Sequence, residues 1–158
     1  MKVMEPFRSP RKQLSNKQED ELTVTGEVFS GLGEAARYVS MSGYMEQFES
    51  KLGFSPYPGT LNLKLLSDND LKARENLVTA SGIRIDGFSD GKRTFGAAKC
   101  FRAKVNEKTI AAVLLIERTS HDESVMEIIS PVNLRYELAL NDGSKIFMTI
   151  DAKSDWTL

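Results

Sequence analysis

The chain has 158 residues, a length that suits one folded domain. Its 41% hydrophobic and 27% charged residues place it among globular chains and exclude a disordered or fibrous protein. Twenty-one Lys plus Arg against 22 Asp plus Glu leave a net charge of -1, so no global field draws the chain to nucleic acid or to an anionic membrane.

Residues 1–20 carry five basic side chains, three acidic ones and two prolines with almost no apolar periodicity, and read as a solvated arm. The basic start MKVMEPFRSPRKQ lacks the apolar stretch of a secretory leader. The domain is expected over residues 21–153, with 154–158 as a tail. From Leu22 the sequence LTVTGEVFS alternates apolar and polar residues as a strand does. Gly31-Leu32-Gly33-Glu34-Ala35-Ala36 follows and formally matches a dinucleotide fingerprint, whose glycines let backbone amides approach a phosphate. That fingerprint needs a helix at once and a second βα unit. Arg37-Tyr38-Val39-Ser40 is β-branched and aromatic, so a Rossmann site is disfavoured against a glycine loop that faces a nucleotide or merely turns between strands.

In SGYMEQFESKLG, Tyr44, Phe48 and Leu52 share a helical face, Ser42 stands at the cap and Gly53 at the end. The next stretch, FSPYPGTLNL, fixes a loop with Pro56 and Pro58 and leaves Gly59 free to take a conformation closed to other residues. With Leu61, Leu63 and Leu65 toward the core, strand periodicity puts Thr60, Asn62 and Lys64 on the opposite face. A hydroxyl and an amide carbonyl then stand about 7 Å apart at their Cα atoms, a pair suited to a hard cation that also takes phosphate oxygens. Equally, the two side chains would satisfy the loop's own backbone.

A further helix is expected from Asn69 to Leu77, and strands over Phe95 to Val105, Ile110 to Ile116, Val125 to Ile129 and Lys145 to Ile150. Asp90-Gly91, Asn106-Glu107 and Asn141-Asp142-Gly143 punctuate them as turns. The run Ile110 to Ile116 is far below the roughly 18 residues that span a bilayer. Gly87 to Thr94 holds a Gly-Lys pair but not Walker A spacing, and reads as a hairpin. Thr119 and His121 sit in a polar loop. Glu127, between Met126 and Ile128, reads on its own as a solvent-facing strand residue. In SPVNLRYELAL, Ser130 takes the cap, Pro131 the first helical position, and Leu134 with Leu138 the core face. Arg135 one turn on gives this start the outline of an anion site, or of an ordinary helix with a surface arginine. Cys100 reads as a small buried side chain. With one cysteine and one histidine, neither a disulfide nor a Cys/His zinc site can be built within the chain, so oxygen ligands must hold any metal. The fold class is mainly β with inserted helices, a barrel rather than a doubly wound parallel sheet.

The order of these segments closely resembles the archaeal CTP-dependent riboflavin kinases. The residues that carry the resemblance are Gly31 to Glu34, Tyr38-Val39-Ser40, Gly43-Tyr44, Leu52-Gly53-Phe54, Pro56 to Asn62, Thr119, His121, Glu127-Ile128-Ile129, Pro131 and Leu134-Arg135, across about Leu22 to Ile150. PYPGTLN is the most specific. The resemblance implies a six-stranded cradle-loop (RIFT-like) β-barrel that transfers the γ-phosphoryl group of CTP to riboflavin, giving FMN and CDP with magnesium. It assigns Gly31, Leu32, Gly33, Glu34, Ala35 and Ala36, together with Val132, Asn133, Leu134 and Arg135, to the nucleotide. Thr60 and Asn62 fall to magnesium, and Thr119 and Glu127 to the flavin; Glu127 and Arg135 are the candidate catalytic residues. The family pattern usually has glycine where this chain has Ala35, so a positive φ there would strain the loop. No helix-turn-helix pattern precedes Leu22, and a cytoplasmic monomer without nucleic-acid or membrane partners is expected. The other class open to such a barrel is a nucleotide- or flavin-binding regulatory module without turnover.

Overall fold

The computed structural model describes residues 21–31, 35–116 and 123–153. The expected arm over 1–20, the tail over 154–158, the residues Leu32, Gly33 and Glu34, and Thr119 with His121 lie outside the described residues.

Six strands close an antiparallel barrel. β1 (Glu21–Phe29) pairs with β2 (Leu61–Leu65) on one side and with β9 (Lys145–Asp151) on the other. β2 continues to β8 (Val125–Ile129), β8 to β7 (Thr109–Ile116) and β7 to β6 (Ala98–Val105). The ring closes where Ala103 and Val105 of β6 pair with Ile150 and Met148 of β9. The first half of β6 instead carries β3 (Ile83–Ile85), and a separate hairpin joins β4 (Phe88–Ser89) to β5 (Thr94–Phe95). The fold is therefore the mainly β, six-stranded barrel with inserted helices that the sequence predicts.

Strand alternation fills the interior. Leu61, Leu63 and Leu65 point inward with Val24, Val28, Phe101, Val113, Met126, Ile128, Met148 and Ile150, each nearly inaccessible to water. Gly26 of β1 makes room for them, since a Cβ there would stand 2.9 Å from that of Leu63. A second core lies outside the barrel wall. There α2 (Ser42–Leu52) lays Phe48 and Leu52 over Ile83, Ile85, Ala112, Leu114 and Ile129. Strands β7 and β8 are consequently covered on both faces, and all five residues of β8 are buried. Cys100 belongs to this outer core, and burial pushes its thiol up to about 12.

The helices refine the sequence reading. In α2 the cap is Met41, Ser42 is the first helical residue, and Gly53 ends the helix at φ 84°. The helix α3 (Asp68–Thr79) is capped by Ser67, whose side chain accepts from the Asp70 amide. A one-turn helix α1 (Ala35–Val39) does follow the glycine segment, against the expectation drawn from its aromatic and β-branched residues, because Val39 gains a buried place under α2. Ala35 is thus in right-handed helical backbone, which alanine adopts without strain. The expected strand Phe95 to Val105 breaks after Phe95. The Tyr44 hydroxyl draws off the Gly96 carbonyl, and Phe95 packs on Phe88 within its own hairpin. The helix expected from Pro131 begins only at Leu134, as α4 (Leu134–Glu137), and Ser130 does not cap it. Its hydroxyl donates to the Ile110 carbonyl on β7, and Asn133 is the cap.

Leu63 contacts the centre of the barrel and is 0% exposed, so Leu63→Ala should lower the unfolding free energy by about 2–5 kcal/mol in urea titration. A loss under about 1 kcal/mol would mean that the interior collapses around the deletion.

Candidate active site

The register of β2 against β8 sets Asn62 directly opposite Glu127, and Leu114 of β7 opposite Glu127 on its other side. Since Met126 and Ile128 fill the barrel, Glu127 projects from the outer wall, on the face that α2 partly covers. It is only 8% exposed, which corrects the reading of a solvent-facing strand acid. The Thr60 hydroxyl donates to Glu127 Oε1 at 3.0 Å. Thr60 has one proton to give, so with that proton turned toward Glu127 its lone pairs remain available.

Asn62 supplies the most telling atom. Its Oδ1 is buried and, among the described residues, has no hydrogen-bond partner, a condition that native structures rarely tolerate without a ligand or water. Gly31 lies against the same amide. A Cβ at Gly31 would stand 2.4 Å from Asn62 Nδ2, so the glycine permits close approach of the loop after β1 to this side chain. Gly59, at φ 120°, turns the PYPGTLN loop into β2 and brings it beside Ala36. The Tyr57 amide donates to the Ser130 carbonyl at 2.7 Å, which pins the loop to the end of β8. Thr60 and Asn62 do not bond to the loop's own backbone in any contact among the described residues. An orphaned carbonyl oxygen, a hydroxyl with open lone pairs and a nearby carboxylate together fit a hard cation and the oxygens of a phosphate.

A second cluster forms just past the C-terminal end of β1, the end at which Phe29 pairs with Asn62. Arg135 Nη2 donates to Asp142 Oδ1 at 2.8 Å, and the Ser30 hydroxyl reaches both carboxylate oxygens of Asp142 at 2.9 Å. These bonds, from Arg135 first and then Ser30, hold the Asp142 carboxyl below its usual value. A depressed pKa means that the pairing is complete above the ordinary aspartate value and is lost only as pH falls through the lower folded value. Of the other residues in this segment, Leu134 is buried in the core and Asn133 is engaged in capping, while Val132 donates its amide to Ser130 Oγ at 3.3 Å. Gly31 and Arg135 are thus brought to one end of the barrel through Ser30, while Thr60, Asn62 and Glu127 stand together on its wall.

A groove of about 630 Å³ opens on the outer wall beside Glu127, lined by Leu114, Ile116 and Val125 of β7 and β8 and by Arg74, Arg84 and Lys99. Its size is that of a small-molecule site. Lys99, on β6, extends its ammonium to the C-terminal end of α3, where it donates to the Val78 and Ala80 carbonyls, and burial lowers its pKa. The sequence reading singled out none of these three basic residues, because each lies in an ordinary strand or helix face. Ser30 also escaped it, and Asp142 was visible only as a turn residue.

The molecule is a closed six-stranded antiparallel barrel with a polar cluster on its wall and Gly31 against it. Residues 28–150 match the family model CTP-dep_RFKase, described as a domain of unknown function, DUF120. The chain belongs to that CTP-dependent riboflavin kinase domain family. It is 45% identical over 134 residues to a riboflavin kinase of Haloquadratum walsbyi, covering 82% of this chain and 57% of the relative. It is 41% identical over 157 residues to a riboflavin kinase of Methanococcoides burtonii, covering 97% and 68%, and 46% identical over 125 residues to one of Archaeoglobus fulgidus, covering 79% and 53%. The chain thus spans little more than half the length of most of the curated relatives it matches. None of the described helices is long and apolar enough to cross a membrane.

Gly31→Ala should push the Asn62 side chain from its place while leaving the barrel folded, since the contact is with a side chain. The two amide proton signals of Asn62 in a nitrogen-15 spectrum are expected to shift, with most barrel amides unmoved. Unchanged Asn62 signals would show that the loop yields instead.

Proposed function

We propose that this domain is a riboflavin kinase that transfers the γ-phosphoryl group of CTP to the terminal ribityl hydroxyl of riboflavin, giving FMN, CDP and a proton. The observation that carries the reading is the buried Oδ1 of Asn62, without a hydrogen-bond partner among the described residues, beside the Thr60 hydroxyl and Glu127. Family membership and the names of the relatives supply the substrate class.

Phosphoryl transfer demands alignment and neutralisation of charge more than covalent help from the protein. Thr60 and Asn62 would hold magnesium through oxygen, and the ion would supply positive charge to the phosphates. Both ligands are neutral, so tight binding would depend on the anionic nucleotide. The segment from Gly31 to Ala36 and the residues Val132 to Arg135 would hold that nucleotide. Arg135 would offer charged N–H donors to its phosphates. Glu127, already an acceptor for Thr60, would accept the proton of the ribityl hydroxyl or orient it for attack. Thr119 with Glu127 would contact the flavin, and the groove beside Glu127 has the volume and mixed apolar and basic walls to take a heteroaromatic ring system. No part of this scheme needs a Walker loop.

Purified protein with riboflavin and magnesium should form FMN with CTP and far less with an equal concentration of ATP, as read by chromatography with fluorescence detection. Asn62→Ala should abolish most turnover, with partial recovery at raised magnesium. Saturable riboflavin or CDP binding without FMN from either donor would replace the kinase with a binding module.

A further inference from the structure

Resting on the nucleotide reading of Gly31 and Arg135, we propose that Asp142 is a positioning residue that holds Arg135 and the start of the glycine segment in one arrangement for the donor phosphates. Three chain segments meet at its carboxylate. Arg135 comes from α4, Ser30 from the end of β1, and Asp142 itself from the turn before β9. Arg135 Nη2 also lies 3.4 Å from Ser30 Oγ, so the three polar groups form a closed triangle.

The turn is a rigid platform for this carboxylate. The Gly143 amide donates to the Val28 carbonyl and the Val28 amide to the Ser144 carbonyl, each at 2.8 Å. Gly143 takes φ 94°, and the Ser144 amide returns to the Asn141 carbonyl at 2.9 Å. Asp142 is therefore fixed relative to β1, two residues before Ser30 and three before Gly31. Arg135 is 38% exposed and on a one-turn helix, so little besides this carboxylate restrains its long side chain. The bond engages Nη2, and the guanidinium's other N–H groups have no side-chain or backbone acceptor among the described residues. Ser30 gives its single proton to Asp142, which anchors the backbone immediately before Gly31.

Two physical effects of removing the carboxylate oppose each other. Deleting a negative charge beside a phosphate site would tighten anion binding by Coulomb's law alone. Freeing Arg135 and Ser30 would weaken it, because the geometry must then be found at each binding event. Positioning makes the second effect win.

The test measures the CDP dissociation constant by calorimetry, with magnesium, for the whole chain and for Asp142→Asn, Asp142→Ala, Arg135→Ala and the double variant Arg135→Ala/Asp142→Ala. Melting temperatures verify folding, and Asp142→Asn preserves both shape and turn preference should the alanine variant unfold. Steady-state kinetics supply the Michaelis constants for CTP and riboflavin. Asp142→Ala should weaken CDP binding and raise the Michaelis constant for CTP by about tenfold, with that for riboflavin unchanged and Asp142→Asn intermediate. In the Arg135→Ala background the same substitution should alter CDP binding by less than about twofold. Equal or tighter CDP binding by folded Asp142→Asn or Asp142→Ala would overturn the positioning role and leave the nucleotide site standing. So would an undiminished loss in the Arg135→Ala background. A wild-type chain that binds no CDP would remove the nucleotide reading and the proposal with it.

Discussion

Antiparallel pairing of β2 with β8 is the constraint from which the site's geometry follows. Leu61, Leu63 and Leu65 on one strand and Met126 and Ile128 on the other drive into the barrel, and their burial fixes the register to the residue. The alternate positions, Asn62 and Glu127, are thereby set face to face on the outer wall. A slip of β2 by one residue would send Asn62 into the interior, turn the leucines out and separate Asn62 from Glu127. The hydrophobic core thus determines which polar atoms converge.

That convergence is expensive for the fold. The Asn62 amide oxygen is buried and, among the described residues, has no partner, so it loses hydration that the protein does not return. The outer core under α2 makes the loss tolerable by covering the neighbouring strand residues and holding β7 and β8 rigid. The unsatisfied oxygen on the wall stands out against the apolar side chains that fill the interior. It agrees with a ligand that brings its own charge, as the proposed magnesium nucleotide would. Just past the same end of β1, where Phe29 pairs with Asn62, the Asp142 carboxylate joins three segments, so that both clusters are tied to one strand end.

Much of this was legible in the sequence because period and turn chemistry agree. The alternation through Leu61, Asn62, Leu63 and Lys64 predicts which side chains share a face, and the strand bears it out with alternate burial. Asn106-Glu107 and Asn141-Asp142-Gly143 announce tight turns, and Asn106, Glu107 and Gly143 do take positive φ. The burial of Glu127 was hidden, since local pattern cannot show that β8 is covered on both faces by elements elsewhere in the chain. Ser130 misled for a related reason: a distant carbonyl on β7 outcompetes the local helix for its hydroxyl. The short helix at Ala35–Val39 forms against its propensities because Val39 finds a tertiary pocket. Arg135 was legible as a charge near a helix start, but the aspartate that engages it lies seven residues on, across a turn whose path no periodicity reveals.

The central claim is that Asn62 Oδ1 and Thr60 Oγ1 are waiting for a cation that arrives with nucleotide. Manganese, a paramagnetic substitute for magnesium, tests it most directly through line broadening in a nitrogen-15 spectrum of the labelled protein. With CDP and substoichiometric manganese together, the Asn62 side-chain amide and the Thr60 backbone amide should broaden first, and neither addition alone should do so to the same degree. Broadening centred elsewhere on the barrel, or an Asn62 signal untouched at saturating CDP, would contradict the account.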